Sequence, residues 1–200
     1  WMYQRDEVEI TVPADQENRP DIDQYSITVP PLEKIGIVLK LLRTMQPARC
    51  IIFCNTKAMC QRLSDDLRRA GADADCLHGD IRQATREKTM RTFKDGKLPV
   101  LIATDVASRG IDVDDVDCVI NYDVPEENEY YIHRIGRTGR AKKKGMAFSI
   151  IGNFPEQAKL DEIAKYSHYQ VQRVKFLDDG TLVADEPAKK PKPAPRRRFR

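Results

Sequence analysis

The densest group of side chains that could do chemistry lies between Tyr130 and Ala141, in the sequence Tyr-Tyr-Ile-His-Arg-Ile-Gly-Arg-Thr-Gly-Arg-Ala. If this run is helical, His133, Arg137 and Arg140 recur at positions i, i+4 and i+7, which places an imidazole and two guanidinium groups on one face. A guanidinium group is planar, permanently charged and able to donate two parallel hydrogen bonds to one anion. The run therefore predicts a site for a group with several anionic oxygens, such as a transferring phosphoryl group.

Two glycines in the same run, Gly136 and Gly139, are unusual for a helix with a purely structural role. Each costs about 1 kcal/mol relative to alanine inside a helix. We therefore expect them to permit the close approach of another group to the backbone. The alternative interpretation is a solvated basic helix without a ligand.

Length and composition indicate one domain with tails. The chain has 200 residues, of which 40% are hydrophobic and 32% charged, which is enough for one core and too polar for a membrane span. No run of about 18 apolar residues occurs, and residues 1–6 lack the apolar segment of a secretory signal. We expect a cytoplasmic protein with no membrane contact.

The cysteines are interpreted as reduced core residues. Their number is odd, they form no Cys-x-x-Cys pair, and most stand inside apolar runs, which argues against disulfides and zinc ligands. No metal site is predicted in this chain. The five are Cys50, Cys54, Cys60, Cys76 and Cys118.

The formal charge of +3 is unevenly distributed. Residues 187–200 contain seven Lys or Arg and no acid, which leaves a charge of −4 on residues 1–186. Nucleic-acid contacts in the globular part must therefore come from individually placed groups. The tail could bind polyanions by charge alone, or it could simply improve solubility.

Short apolar runs alternate with segments of helical periodicity along most of the chain. Runs that are apolar on both faces indicate a parallel sheet covered by helices on both sides, so the predicted fold class is α/β. The predicted strands are 24–29, 50–54, 74–77, 100–103, 118–121 and 145–151. Predicted helices begin near residues 32, 81, 128 and 156, and another carries Cys60, Leu63, Leu67 and Ala70 on one face and stops at Gly71.

Polar residues follow three of these strands directly, at positions 55–57, 78–80 and 104–105. Ligands bind at the carboxyl ends of the strands in open parallel sheets, so these turns should line one edge. Each turn alone has an ordinary alternative, because Asn, Thr and Asp also cap helices and form turns. The third turn continues into residues that suit a nucleotide: Thr104 and Ser108 can donate to phosphate or ribose, Gly110 allows close approach, and Asp112 can accept from a ribose hydroxyl.

Order and spacing of these motifs resemble the C-terminal RecA-like domain of a DEAD-box RNA helicase. Residues 52–57, Ile-Phe-Cys-Asn-Thr-Lys, resemble motif IV, and residues 83–86, Gln-Ala-Thr-Arg, resemble motif IVa. Residues 103–112 resemble motif V and residues 131–140 motif VI. The resemblance covers roughly residues 24–165 and implies a RecA-like three-layer fold, in which a central parallel sheet is flanked by helices.

The resemblance also implies roles for single residues. Arg137 and Arg140 would act as arginine fingers on the γ-phosphate of ATP, His133 and Arg109 would connect the site to a partner domain, and Asp112 with Gly110 would hold the nucleotide. Contacts to the sugar-phosphate backbone of RNA would position the strand without reading its bases. These contacts are implied for Thr104, Arg86 and Gly79, and with less support for Asn55 and Thr56. Arg86 has the alternative of an exposed helix arginine.

The sequence lacks a Gly-x-x-x-x-Gly-Lys-[Ser/Thr] loop and an Asp-Glu-Ala-Asp motif. These features cradle phosphates and hold Mg²⁺ in nucleotide hydrolases. We therefore expect that Mg²⁺ is held by a missing N-terminal RecA-like domain and that the chain alone is inactive. The implied partners are that domain, single-stranded or short duplex RNA, and protein cofactors.

The predicted organisation has four parts. Residues 1–23 form a linker, 24–168 the helicase C-terminal domain, 169–186 a C-terminal extension and 187–200 a disordered basic tail. Two functions from different classes remain open. One is the motor domain of an ATP-dependent RNA helicase, and the alternative is a non-catalytic RecA-like module that binds RNA or protein. The complete motif VI favours the first, because a binding module needs no pair of arginines aimed at a phosphoryl group.

Overall fold

The computed structural model describes residues 21–109, 113–139 and 144–186. Strands and helices alternate through most of these residues, as the periodicity predicts. The elements are β1 (Ile22–Thr28), a 3₁₀ turn (Pro31–Glu33), α1 (Lys34–Met45), β2 (Cys50–Cys54), α2 (Lys57–Arg69), β3 (Ala74–Leu77), α3 (Gln83–Lys94), β4 (Val100–Thr104), α4 (Asp105–Ser108), β5 (Cys118–Asn121), α5 (Asn128–Ile135), β6 (Gly145–Ile151), α6 (Phe154–Ser167), β7 (Val171–Phe176) and β8 (Leu182–Ala184).

The strands form one sheet in the order β3-β4-β2-β5-β6-β1-β7-β8. Neighbouring strands from β3 to β7 run parallel, and β8 pairs with β7 in the antiparallel direction. The central strands β2, β4 and β5 are buried along their whole length. The predicted α/β class with a parallel sheet is confirmed.

Two apolar clusters lie on the two faces of the sheet and make the fold three-layered. One cluster joins the sheet to α1 and α2 through residues such as Leu41 and Leu63. The other joins the opposite face to α3, α5 and α6 through Phe93, Tyr131 and Ile163. None of the helices in the described ranges is both long and apolar enough to cross a membrane.

Short polar side chains start two of the helices that follow strands. The Thr56 hydroxyl accepts a hydrogen bond from the Met59 amide at 3.2 Å at the start of α2. The Asn153 side chain accepts from the Glu156 amide at 2.9 Å at the start of α6. Both are N-caps, which satisfy an amide that has no partner inside the helix.

The two ends of the domain differ from the prediction in detail. β1 begins at Ile22, two residues before the predicted strand, and it lies between β6 and β7. Residues 169–186, predicted as an extension outside the domain, supply β7 and β8 of the same sheet. The sheet therefore continues across the predicted boundary at residue 168. The predicted linker up to residue 20 and the predicted tail lie outside the described residues.

The five cysteines are free thiols, and all are buried. This finding confirms their prediction as reduced core residues. Burial raises the pKa of the Cys54 thiol well above its usual range, so this thiol stays protonated at neutral pH.

Candidate functional site

The polar turns at 55–57, 78–80 and 104–105 stand next to one another at the carboxyl edge of the sheet. They follow β2, β3 and β4, and β4 lies between the other two strands. The turn after β5 belongs to the same edge, because β5 is the other neighbour of β2. The structure thus brings together the turns that the sequence predicted to meet.

A single buried side chain, Arg134 of α5, connects three of these turns. Its Nε and Nη2 atoms donate to the two carboxylate oxygens of Asp105, both at 2.7 Å. Nη2 also donates to Asn55 Oδ1 at 2.7 Å. Nη1 donates to the carbonyl oxygen of Asp123 at 2.7 Å and to Asn121 Oδ1 at 3.4 Å. Together these bonds attach α5 to the ends of β2, β4 and β5.

The surroundings of Arg134 explain how a permanent cation is tolerated inside the domain. Its side chain is 1% exposed, and the Phe53 ring lies 5.3 Å from the guanidinium carbon. A guanidinium group has five N–H donors, and five hydrogen bonds to this group are present. The bidentate contact with Asp105 supplies the opposite charge. The group is therefore neutralised and saturated with hydrogen bonds.

Asn55 and Thr56 were predicted to contact RNA. In the structure, both side chains make hydrogen bonds within the domain. Asn55 donates from Nδ2 to the carbonyl oxygen of Val124 at 2.9 Å, in addition to its bond with Arg134. The Thr56 hydroxyl oxygen caps α2 by accepting from the Met59 amide. Both residues are exposed to solvent. The hydrogen bonds of the Asn55 side chain fix the position of the turn.

Thr104 and Arg86 meet at the short helix α4. The Thr104 hydroxyl accepts a hydrogen bond from the Ala107 amide at 3.3 Å. Arg86 extends from α3 and donates from Nη2 to the Ala107 carbonyl oxygen at 3.4 Å. Gly79 is exposed in the neighbouring turn, and a Cβ atom there would meet only Lys57 Cδ, at 3.6 Å. The fold itself therefore leaves room for a side chain at Gly79.

The arginine-rich run is only partly helical. α5 ends at Ile135, and the Gly136 amide closes its last turn by donating to the Ile132 carbonyl oxygen at 3.0 Å. Arg137 lies beyond the helix, so the expectation of one helical face that carries His133 and Arg137 is wrong. The two side chains nevertheless line the same cavity, which has a volume of about 320 Å³.

Contacts on both sides hold Arg137 beside α4. Its Nη2 atom donates to the carbonyl oxygen of Ser108 at 3.2 Å, and its Nη1 atom lies 3.9 Å from a carboxylate oxygen of Asp114. Arg109, the residue that follows Ser108, is exposed. It donates to the Tyr130 hydroxyl at 3.0 Å and packs over that ring at 5.3 Å.

Three residues predicted for the nucleotide site, Gly110, Asp112 and Arg140, lie outside the described residues. Gly110 and Asp112 follow Arg109 in the chain, and Arg140 comes three residues after Arg137. Their roles stay predictions.

The two glycines of the run serve the fold. Gly136 has φ −64°, which any residue can adopt, and it ends α5. Gly139 has φ +74°, and a Cβ atom there would lie 2.7 Å from the Asp21 carbonyl oxygen and from a side-chain carbon of Ile22. The close approach that we expected is therefore made by β1 of the same chain at Gly139.

Arg134 is the residue that the sequence prediction missed. Its partners stand 11, 13, 29 and 79 positions away, so no local pattern marks them. One signal was available: Arg134 lies at i+3 from Tyr131 and next to Ile135, on the face of α5 that is buried. An arginine on such a face requires an acidic partner inside the domain.

The chain is similar in sequence to known helicases. Residues 33–142 match the family model for the helicase conserved C-terminal domain. The chain is 39% identical over 185 residues to the ATP-dependent RNA helicase DbpA of Bacillus subtilis, which covers 92% of the chain and 38% of DbpA. The chain thus spans well under half the length of this relative.

Solved structures show the same arrangement. S. cerevisiae Dbp5 bound to RNA and ADP BeF3 has a TM-score of 0.74 at 34% identity, over 78% of this chain and 42% of that chain. The E. coli DEAD-box protein SrmB bound to the regulator of ribonuclease activity A (RraA) has a TM-score of 0.75 at 30% identity. That match covers 86% of this chain and all of the SrmB chain.

Proposed function

Because this chain belongs to the DEAD-box RNA helicases, as their C-terminal RecA-like domain, we propose that it works with an N-terminal RecA-like domain to couple ATP hydrolysis to the remodelling of RNA. In this proposal each domain supplies half of an ATPase site and half of a surface for single-stranded or short duplex RNA. The observation that carries the proposal is the cavity shared by His133 and Arg137 at the end of α5, which brings an imidazole and a guanidinium group to one surface site.

The proposed chemistry is hydrolysis of the terminal phosphoryl group of ATP. A water oxygen attacks the γ-phosphorus, the bond between that phosphorus and the β,γ-bridging oxygen breaks, and ADP and inorganic phosphate form. Arg137, with Arg140, donates hydrogen bonds to the γ-phosphate oxygens as negative charge develops on them. Asp112 and Gly110 are proposed to hold the nucleotide. The roles proposed for Asp112, Gly110 and Arg140 rest on the family resemblance.

Mg²⁺ belongs to the N-terminal domain in this proposal. The described residues hold no group of three or more His, Cys, Asp or Glu side chains that could bind a metal ion. The proposed part of this chain is to position the nucleotide and to stabilise the charge that develops on the phosphoryl group.

RNA is proposed to lie along the carboxyl edge of the sheet. Thr104 at the start of α4, Arg86, which contacts α4 from α3, and Gly79 in the turn after β3 would contact its sugar-phosphate backbone. Asn55 and Thr56 lie on the other side of Thr104, in the turn after β2. His133 and Arg109 are exposed and would face the partner domain. Protein cofactors are a further proposed class of partner, because SrmB is solved in a complex with RraA.

We expect the chain alone to hydrolyse ATP no faster than a buffer control, even with Mg²⁺ and RNA present. Phosphoryl transfer needs groups on both sides of the phosphate, and the phosphate-cradling loop is absent from this sequence. Fusion behind a DEAD-box N-terminal domain should produce RNA-stimulated turnover, measured as released phosphate. The N-terminal domain alone is the matched control. Turnover that copurifies with the chain alone, or a fusion without RNA-stimulated turnover, would contradict the proposal.

The basic tail, which lies outside the described residues, is expected to bind RNA without sequence preference. Its seven Lys and Arg residues can neutralise seven phosphates, so a log-log plot of affinity for single-stranded RNA against salt should have a slope no steeper than roughly −5. Deletion of residues 187–200 should flatten the slope and weaken binding to unrelated sequences alike. Substitution of the seven residues by Gln is the control for length. Equal slopes with and without the tail would show that it takes no part in binding.

A further inference from the structure

Two cysteines that the proposed function does not use, Cys60 of α2 and Cys76 of β3, lie next to each other inside the domain. Both belong to the apolar cluster between the sheet and α1 and α2. The Cys60 Sγ atom lies 3.7 Å from the Leu77 carbonyl oxygen and 3.5 Å from the Ile102 carbonyl oxygen. Cys76 precedes Leu77 in β3 and is the register partner of Ile102 in β4. The two thiols are therefore close neighbours.

The two thiols differ in acidity and in position. The hydrogen bond between the two side chains, together with burial, raises the pKa of Cys60 far above its usual range. The same hydrogen bond lowers the pKa of Cys76. Cys76 is 3% exposed on the strand at the edge of the sheet, and Cys60 is fully buried. Because the thiolate is the reactive form of cysteine, an oxidant reacts first with Cys76, and Cys60 is placed to react with the product.

The Cys76 side chain is connected to the turn after β3 through Gln61. The Gln61 Oε1 atom accepts from the Cys76 thiol at 3.6 Å and lies 2.9 Å from Nε2 of His78. The Asp80 amide donates to Nδ1 of the same ring at 3.3 Å, so Nε2 carries the ring proton and donates to Gln61. Gly79, which is proposed to contact RNA, stands between His78 and Asp80. A change at the Cys76 sulfur thus reaches this turn through one side chain.

We infer that Cys60 and Cys76 form a reversible disulfide when the folded protein meets hydrogen peroxide, and that this bond weakens RNA binding at the turn after β3. The second part rests on the proposed function, whereas the first part does not. A disulfide sulfur carries no hydrogen, so Gln61 loses the thiol that donates to it. Its contact with His78 is then less constrained, and the turn loses part of its support.

The proposed oxidation has two steps. The Cys76 thiolate attacks one oxygen atom of hydrogen peroxide, the O–O bond breaks, and a sulfenic acid and a hydroxide ion form. The hydroxide ion takes up the proton that the Cys76 thiol had lost. The Cys60 sulfur then attacks the sulfenic sulfur, the S–O bond breaks, and the hydroxyl group leaves with the Cys60 proton as water. In total both sulfurs are oxidised, and one peroxide molecule is reduced to two water molecules.

A second thiol pair in the same chain is a matched internal control. Cys50 and Cys118 are register partners on the parallel strands β2 and β5, and both are buried. A hydrogen bond with Cys118, together with burial, raises the pKa of Cys50. Both strands have a neighbouring strand on each side. Peroxide should therefore leave this pair reduced, although its two sulfurs are neighbours as well.

The test treats the folded chain with hydrogen peroxide and then alkylates the remaining free thiols in denaturant. We expect peptide mass spectrometry to find Cys60 linked to Cys76, to find no such link after treatment with a thiol reductant, and to find Cys50 and Cys118 alkylated. In Cys60→Ser the oxidised Cys76 lacks a thiol to react with, so dimedone should trap it as the sulfenic acid. In Cys76→Ser the Cys60 thiol should stay reduced.

The affinity for a single-stranded RNA is then measured for the reduced, the oxidised and the re-reduced chain. The oxidised chain should bind about two- to tenfold more weakly, the range expected for the loss of one hydrogen bond. A thiol reductant should restore the affinity, which it would not do after oxidation of methionine. Peroxide should not change the affinity of Cys76→Ser.

Three results would overturn the disulfide: no link between Cys60 and Cys76, a link that forms only when urea unfolds the chain, or equal linkage of Cys50 with Cys118. A linked chain with unchanged affinity would overturn the effect on RNA. A reduced wild-type chain that binds no RNA would contradict the proposed function and, with it, the second part of the inference, while the mass spectra still decide the first part.

Discussion

Replacement of Arg137 by lysine in the fusion with an N-terminal domain is expected to lower RNA-stimulated ATP turnover by about 10³-fold or more, the scale associated with arginine fingers. Lysine keeps the positive charge but loses the planar fork that binds two phosphate oxygens at once. The affinity for ADP should barely change, because ADP lacks the γ-phosphate. The melting temperature should stay close to that of the wild type, because lysine keeps the positive charge near Asp114 and the side chain lies at a surface cavity.

The decisive comparison is turnover against ADP affinity in the same protein. Arg173→Lys, on the exposed side of β7, is the matched control and should leave both values unchanged. Arg140→Lys should behave like Arg137→Lys, and the double variant should cost less than the product of the singles, because both arginines act on one group. A parallel loss of turnover and ADP affinity, or an unfolded domain, would show that Arg137 holds the fold and is not a finger.

The central strands were predictable because burial on both faces leaves a continuous apolar run. β2, β5 and β6 have the predicted bounds, because these strands are covered on both faces and remain largely apolar along their length. β7 escaped prediction because it is neither continuous nor strictly alternating. In Val-Gln-Arg-Val-Lys-Phe only Val174 is buried, and the strand is held by backbone pairing to β1 and β8.

The candidate site also has a part that could be predicted from the sequence and a part that could not. The turns after β2, β3 and β4 could be placed at one edge, because strand direction follows from the alternation of strands and helices. The course of the chain after Gly136 and the burial of Arg134 could not be deduced. They depend on Gly139 against β1 and on a carboxylate 29 positions away. Contacts between distant residues of this kind leave no period in the sequence.

Removal of the Arg134 guanidinium group is expected to cause a large loss of stability. Arg134→Met should lower the free energy of unfolding of the chain by about 3–5 kcal/mol, the usual cost of removing one partner of a buried ion pair. The Asp105 carboxylate would keep its charge without a partner, and Asn55, Asn121 and the Asp123 carbonyl would each lose a donor. A domain of this kind has about 5–15 kcal/mol of stability in total, so the variant would unfold at much lower urea concentration.

Equilibrium urea unfolding of the chain, with midpoint and slope both fitted, measures this loss. Arg173→Met removes an exposed arginine and should change the free energy by no more than about 0.5 kcal/mol. The double variant Arg134→Met/Asp105→Leu should recover part of the loss, because it leaves no unpaired charge inside the domain. A loss below about 1 kcal/mol for Arg134→Met, or a double variant as unstable as the sum of the singles, would mean that the ion pair does not hold the three turns together.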